Sequence, residues 1–394
     1  MLVYDIALTL IPEIGNIRGR RLIEVFGSAE AALKTSLEDL AEQSEIPFAA
    51  IRNIELSQVF PAAEAEIKYM EKHGIEAISI TDPRYPARLK ECPDAPLILY
   101  VKGNLNFNTP RWLSVVGTRK VTAYGRKITA EAIDGLSRLS PETVIVSGLA
   151  YGTDIEAHLS ALRAGMTTVA VLGNPLGYVY PEAHTGYAEE IVEKGGALVS
   201  EFHSRCEVRG SNFLRRNRII AGLCDGTLVV ESAYRGGSLS TAACALGYFR
   251  DVMAVPGRVG DPMSEGTNRL IRDNRAAMVL QAQDILNALN WDASPAKSTA
   301  PTDSQTDLFA PPNGSQADFF ASPTTGQGGF PAPPPSLTRE EALIFEQLRQ
   351  AGSLSADELS VRTGMPAATI SALTLSLEID GLIRRLPGNL LEIV

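Results

Sequence analysis

Basic groups gather in one stretch of this 394-residue chain. Between positions 205 and 218, Arg205, Arg209, Arg215, Arg216 and Arg218 face a single acid, Glu207, and Phe213 sits among them. Guanidinium groups set along a segment suit a row of phosphates, and an aromatic face beside them suits an unstacked base. Arg119 follows an apolar run directly, in Val116-Gly-Thr-Arg119, where Gly117 and Thr118 let a bulky anion approach the backbone. Ser147-Gly148 and Gly237-Ser238 stand in comparable places after later apolar runs. With Asn217, which stands between Arg216 and Arg218, these residues make a candidate site for the backbone of a nucleic acid.

Other chemistries fit the residues less well. The string 116–125 lacks the G-x-G-x-x-G spacing of a dinucleotide fingerprint, and the P-loop pattern is absent, so no nucleotide cofactor is expected. Asp154 and His158 stand four apart with no third ligand nearby, which favours a helix-start carboxylate and a hydrogen-bonded His over a metal or acid/base pair. The cysteines, Cys92, Cys206, Cys224 and Cys244, form no C-x-x-C pair and read as small, mostly buried residues. No metal site is expected. Glu231 followed by Gly236-Gly237-Ser238 faintly resembles the glycine-rich loop of phosphoribohydrolases that act on nucleoside monophosphates, with Glu231 as the carboxylate near the sugar. That enzyme reading is the alternative to a strand-binding groove.

The elements that must position these residues are legible as apolar runs at 112–116, 143–146, 168–172, 197–200, 227–230 and 252–255, alternating with helical segments. Such alternation predicts an α/β domain, a Rossmann-like doubly wound parallel sheet over residues 75–290. Its small-residue turns gather at the carboxyl edge, where ligands bind in open parallel sheets.

Residues 1–74 read as a small helical domain of helix-hairpin-helix or SAM-like type, with a Gly-bearing turn near Gly15 flanked by Arg18, Arg20 and Arg21. The net acidity of this unit favours a packing role over phosphate contact. Residues 291–335 are rich in Ser, Thr, Pro, Gln, Ala and Gly and predict a flexible linker. Within it, 304–310 is echoed by 315–321, and Gln305-Thr-Asp307-Leu308-Phe309 resembles the short peptide by which replication and repair proteins engage the sliding clamp. A duplicated spacer is the plainer reading of that repeat. Residues 336–394 predict three helices and a β-hairpin, a winged helix. Its third helix offers only Thr369, Ser371, Thr374 and Ser376 as polar groups before Glu378, which argues for protein docking or packing rather than sequence reading.

Net charge is −10, but the acid excess lies in residues 1–75 and 295–394, leaving 76–294 balanced, so bulk charge does not exclude a nucleic-acid partner. The first residues, with Asp5 and Glu13, form no signal peptide or membrane span, so a cytoplasmic protein with no membrane contact is expected.

Six motifs then occur in the order found in the DprA (Smf) family of bacterial DNA-processing proteins, which the chain resembles. They are 147–158 (SGLAYGTDIEAH), the 171–173 turn with Tyr180-Pro181, the run 213–222, Gly237-Ser-Leu-Ser-Thr-Ala242, Val255-Pro-Gly257 and 265–271 (EGTNRLI). The segment 82–89 is similar as well. The resemblance implies a cytoplasmic homodimer that binds single-stranded DNA without sequence choice and loads the RecA recombinase during natural transformation, a binder and not an enzyme. It implies Arg119 as a phosphate contact, with Phe213, Arg216 and Arg218 from the basic helix start. Where the family often has Lys three residues before the aromatic, this chain has Gly210, and Arg209 stands beside it to substitute.

Overall fold

The computed structural model describes residues 2–12, 14–48 and 56–292, and beyond them 339–363, 365, 369–370, 373–374, 377, 382–386 and 390–393. The clamp-like peptide with Gln305, Asp307, Leu308 and Phe309, and almost all of the expected linker, lie outside the described residues. Two compact units, Met1–Pro301 and Thr302–Val394, are described in turn. Among the described residues, no helix is long and apolar enough to cross a membrane.

The first unit opens with helices α1 (Leu2–Leu10), α2 (Gly15–Phe26), α3 (Ala29–Lys34), α4 (Leu37–Ser44) and α5 (Leu56–His73). Ser28 and Ser36 cap α3 and α4 by accepting from Ala31 and Asp39 backbone N–H groups. The Gly-bearing turn between α1 and α2 is present, with Gly15 at φ +54°. One of its arginines serves packing: Arg20 donates to the Lys90 and Cys92 carbonyls at 3.0 Å and pairs with Glu24. These helices do not form a separate body. Ile6, Leu8, Leu22 and Leu40 belong to the same apolar core as Leu99, Val146 and Val199 of the sheet, so these N-terminal helices are built onto the sheet.

The sheet has nine strands: β1 (Glu76–Ser79), β2 (Ile98–Gly103), β3 (Trp112–Val116), β4 (Val144–Ser147), β5 (Thr168–Val171), β6 (Ala197–Ser200), β7 (Gly226–Val229), β8 (Asp251–Ala254) and β9 (Ala277–Met278). Their order is β1-β2-β6-β5-β4-β3-β7-β8-β9. Every pair from β6 to β9 is parallel, while β1–β2 and β2–β6 are antiparallel. Between the strands run α6 (Ala87–Lys90), α7 (Ala123–Leu139), α8 (Thr153–Arg163), α9 (Thr185–Glu193), α10 (Gly210–Gly222), α11 (Ser238–Gly247) and α12 (Glu265–Arg272), and α13 (Ala282–Ala288) follows β9.

Both faces of the central strands are covered, which is why they read as near-continuous apolar runs. Trp112 and Val116 of β3 enter the core shared with the N-terminal helices, whereas Leu113 and Val115 join Ile133, Leu136, Ile145 and Ile285 on the opposite face. The chain winds outward from β3 through β4 and β5 to β6, then returns to place β7 beside β3. That reversal makes β3 and β7 the switch point, where the connections leave on opposite faces and open a crevice beyond the strand ends.

The second unit carries α14 (Arg339–Ala351), β10 (Ser353–Ser355), α15 (Ala356–Thr363), β11 (Ile383–Leu386) and β12 (Leu390–Ile393), with the strands ordered β10-β12-β11. Helical residues also occur at Thr369, Ile370, Leu373, Thr374 and Leu377. Ile344, Leu348, Leu359, Ile370 and Leu377 form its core, as a winged helix requires. Thr374 is buried and bonds back to the Ile370 carbonyl, so it presents nothing to a ligand, while Ser371, Ser376 and Glu378 lie outside the described residues.

Candidate nucleic-acid interface

A cavity of about 540 Å³ opens at the switch point. Its walls come from the turn after β3 (Gly117, Thr118, Arg119, Lys120), the start of α10 (Gly210, Phe213, Arg216, Asn217) and the start of α11 (Gly236, Gly237, Ser238). Three loops far apart in sequence meet there because the crossover order brings the carboxyl ends of β3 and β7 together.

The turn after β3 is held rigidly. Thr118 N–H donates to the Glu231 carbonyl at 2.8 Å, the Thr118 carbonyl accepts from Thr153 N–H at 3.1 Å, and Lys120 N–H donates to Thr118 Oγ1 at 3.1 Å. Gly152, at φ +83°, crosses so close to the Thr118 carbonyl that a Cβ there would collide with it. Thr118, expected as an anion contact, thus spends its polar groups on the fold. The consequence is that Arg119 and Lys120 project from a fixed base, both exposed and lining the cavity. Sequence reasoning missed Lys120, although it directly follows Arg119 and that adjacency was the available signal.

Glu231 is buried, and its carboxylate accepts from Thr122 N–H at 2.9 Å and Thr122 Oγ1 at 2.6 Å. Thr122 in turn caps α7 by accepting from Gly125 N–H. The carboxylate that the enzyme alternative needs for a sugar is therefore occupied in pinning the helix that follows the phosphate turn.

The basic helix start divides into three roles. Arg216 is buried, and one guanidinium nitrogen donates to the Gly148 carbonyl at 2.6 Å and to the Val171 carbonyl. Carbonyls at the ends of adjacent parallel strands point their negative ends toward the crevice, and the guanidinium covers those of β4 and β5, making the floor tolerable to an anion. Gly148 has no room for a Cβ because the Arg216 guanidinium fills that space. Burial pushes the Arg216 pKa down to about 10, opposed by the negative charge of Asp154, so it stays a cation at neutral pH. Burial also raises the Asp154 carboxyl above the usual range, against the attraction of Arg216 and hydrogen bonds from residues 147–150.

Arg218 does not line the cavity. It is buried against Glu201 at 2.5 Å and donates to the Asp94 carbonyl at 2.6 Å, which binds α10 to the rest of the fold. The expectation that it meets a phosphate is corrected on that ground: its donors are committed elsewhere. Ser147 is buried and donates to the Val115 carbonyl at 2.7 Å, and Gly148 is sealed by Arg216, so both lie beneath the site rather than in it. Asn217 faces the cavity but holds Ser240 at 2.7 Å and accepts from Arg216. Arg209 is exposed and paired with Glu207 at 2.6 Å, a pair that water screens and an incoming phosphate can exchange.

Gly237 and Ser238 begin the ten-residue α11 at the cavity rim, where the positive end of the helix dipole adds to the two exposed cations. Ser238 Oγ itself is buried and bonded to Ser232. Phe213 is half-buried, packs against Tyr180 with ring centroids 5.3 Å apart, and closes one wall.

His158 is fully buried on α8, its Nδ1 2.7 Å from Thr168 Oγ1. The hydrogen-bonded His expected from the sequence is what the structure contains. Burial, with the positive charge of Arg216, pushes its pKa down to about 3. The folded protein thus excludes a proton that the unfolded chain takes up near the ordinary value of 6.5, so stability is present above that pH and is lost as pH falls toward 3. Burial also lowers the His203 pKa, so His158→Gln is expected to remove about one proton from the slope of urea unfolding between pH 6.5 and 4, not the whole slope. An unchanged slope would place the acid sensitivity elsewhere.

Residues 76–290 match the family described as DNA recombination-mediator protein A, and residues 329–389 match a DprA winged helix domain. The chain is 38% identical over 258 residues to Protein Smf of Escherichia coli, covering 63% of this chain and 67% of that one. It is 40% identical over 210 residues to the DNA processing protein DprA of Streptococcus pneumoniae, covering 53% and 73%. The X-ray structure of the Streptococcus pneumoniae protein superposes with a TM-score of 0.59 at 32% identity, covering 72% of this chain and 96% of that one.

Proposed function

The chain belongs to the DNA recombination-mediator protein A family, and from that premise we propose that it binds single-stranded DNA, without sequence choice, in the switch-point cavity. It then acts in DNA processing as a homodimer that delivers the strand to a RecA-type recombinase, in the cytoplasm, and as a binder rather than an enzyme. The observation that carries the reading is the pairing of two exposed cations, Arg119 and Lys120, with the aromatic wall of Phe213 across a cavity floored by a guanidinium. Phosphates need cations and an unpaired base needs a ring, and nothing in that set selects one base over another.

The phosphoribohydrolase alternative draws less support, because Glu231 is buried and bonded to Thr122 instead of facing the cavity. Fluorescence anisotropy of a labelled oligo-dT across a salt series tests the proposal. A steep linear fall of log affinity with log salt is expected. Absence of binding, together with release of base from nucleoside monophosphates, would give the site to the enzyme.

A further inference from the structure

Exposed aromatic side chains crowd the loops that follow β4 and β5. Tyr151, in the first loop, is 53% exposed; Tyr180, in the second, is 54% exposed, and Tyr187, in the first turn of α9 that follows it, is 38% exposed. Between Tyr151 and Tyr187 lies the buried imidazole of His184, with ring centroids 4.9 Å from Tyr151 and 6.1 Å from Tyr187. His184 Nδ1 is also 2.8 Å from the Leu149 carbonyl. Leu149 sits at φ +55°, a left-handed conformation that costs a branched residue energy and persists only where its surroundings hold it. The imidazole is therefore a bracket: it fixes the turn that carries Tyr151 outward and packs against Tyr187.

This row is continuous with the cavity. Tyr180 packs on Phe213, and Ala150, the neighbour of Tyr151, lines the same wall as Phe213. The chemistry changes along the row. The cavity rim is cationic, whereas the exposed Glu182, two residues after Tyr180, and Glu190, one helical turn from Tyr187, repel a phosphate. Rings without cations suit the uncharged face of a base.

We propose that Tyr151 and Tyr187, held by His184, form a stacking platform for unpaired nucleobases of the strand whose phosphates occupy the cavity. The inference rests on the single-strand reading given above and adds a second subsite to it. Bases reach the tyrosines while the sugar-phosphate chain turns away from Glu182 and toward Arg119 and Lys120.

The test compares labelled oligo-dT with a strand of equal length whose sugars carry no bases. The full chain is expected to bind oligo-dT at least about tenfold more tightly than the abasic strand. Tyr151→Ser combined with Tyr187→Ser should lose about tenfold for oligo-dT, with unchanged abasic affinity and an unchanged salt slope. Phe at both positions should retain the affinity. Three outcomes overturn the platform: Ser variants that bind oligo-dT as tightly as the parent, equal loss for both strands, or a flattened salt slope. If the parent binds neither strand, the single-strand reading itself fails, and that result is distinct from the other three.

Discussion

Replacing Arg119 and Lys120 together by alanine is expected to weaken oligo-dT binding by at least about tenfold at physiological salt and to reduce the salt slope by about 1.4, the loss of two single-strand phosphate contacts. Both side chains are exposed on a turn whose geometry is set by Thr118, Thr153 and Glu231, not by themselves. The fold should be untouched, and the melting temperature should stay within about a degree or two, as for ordinary surface substitutions. Anisotropy titrations between low and moderate salt give both quantities. Equal affinity and slope in the variant would remove the turn after β3 from the site. Loss of affinity with an unchanged slope would mean that the two cations act by shape rather than charge.

Arg216→Ala is expected to act in the opposite register, on stability first. It strips the Gly148 and Val171 carbonyls of their donor and leaves Asp154 buried without a cation nearby. Two hydrogen bonds from a charged donor contribute about 1.5–3 kcal/mol each, so a loss of at least about 3 kcal/mol is expected in urea unfolding. Lysine should not restore it, because an ammonium on a flexible stem is not held in place as the guanidinium is, whose Nε bonds Asn217 while one terminal nitrogen meets both carbonyls. Arg216→Ala with Asp154→Asn should recover part of the loss by removing the uncompensated charge. A stable Arg216→Ala protein with weakened DNA binding would return Arg216 to the role of a direct phosphate ligand. Arg216 and Arg119 are thereby separable: one positions the floor, the other meets the strand.

The parallel sheet was legible because its strands are buried on both faces. The expected runs at 112–116 and 197–200 coincide with β3 and β6, and the other four differ from their strands by a residue at one end or both. β1, β2 and β9 were missed. β2 follows Pro96 and pairs antiparallel, and β9 is two residues long, so neither shows the strand–helix alternation that marked the others. The place of the site was legible too, since small residues after successive apolar runs must gather at one sheet edge. The cysteine reading was partly met: Cys92 and Cys224 are buried, whereas Cys206 and Cys244 are half-buried.

What the sequence determined by itself is the kind of protein: the period of the strands, the glycine turns and the stock of arginines near one helix start follow from local chemistry. What only the tertiary structure decided is which of those arginines remain free. Arg216 meets a carbonyl 68 residues away, and Arg218 meets Glu201 across the fold, while Arg119, with the same side chain, faces the cavity. The physical reason is that a guanidinium carries the same charge wherever it stands, and its partner is set by long-range packing, which brings carbonyls and carboxylates from other strands to some arginines and water to the rest.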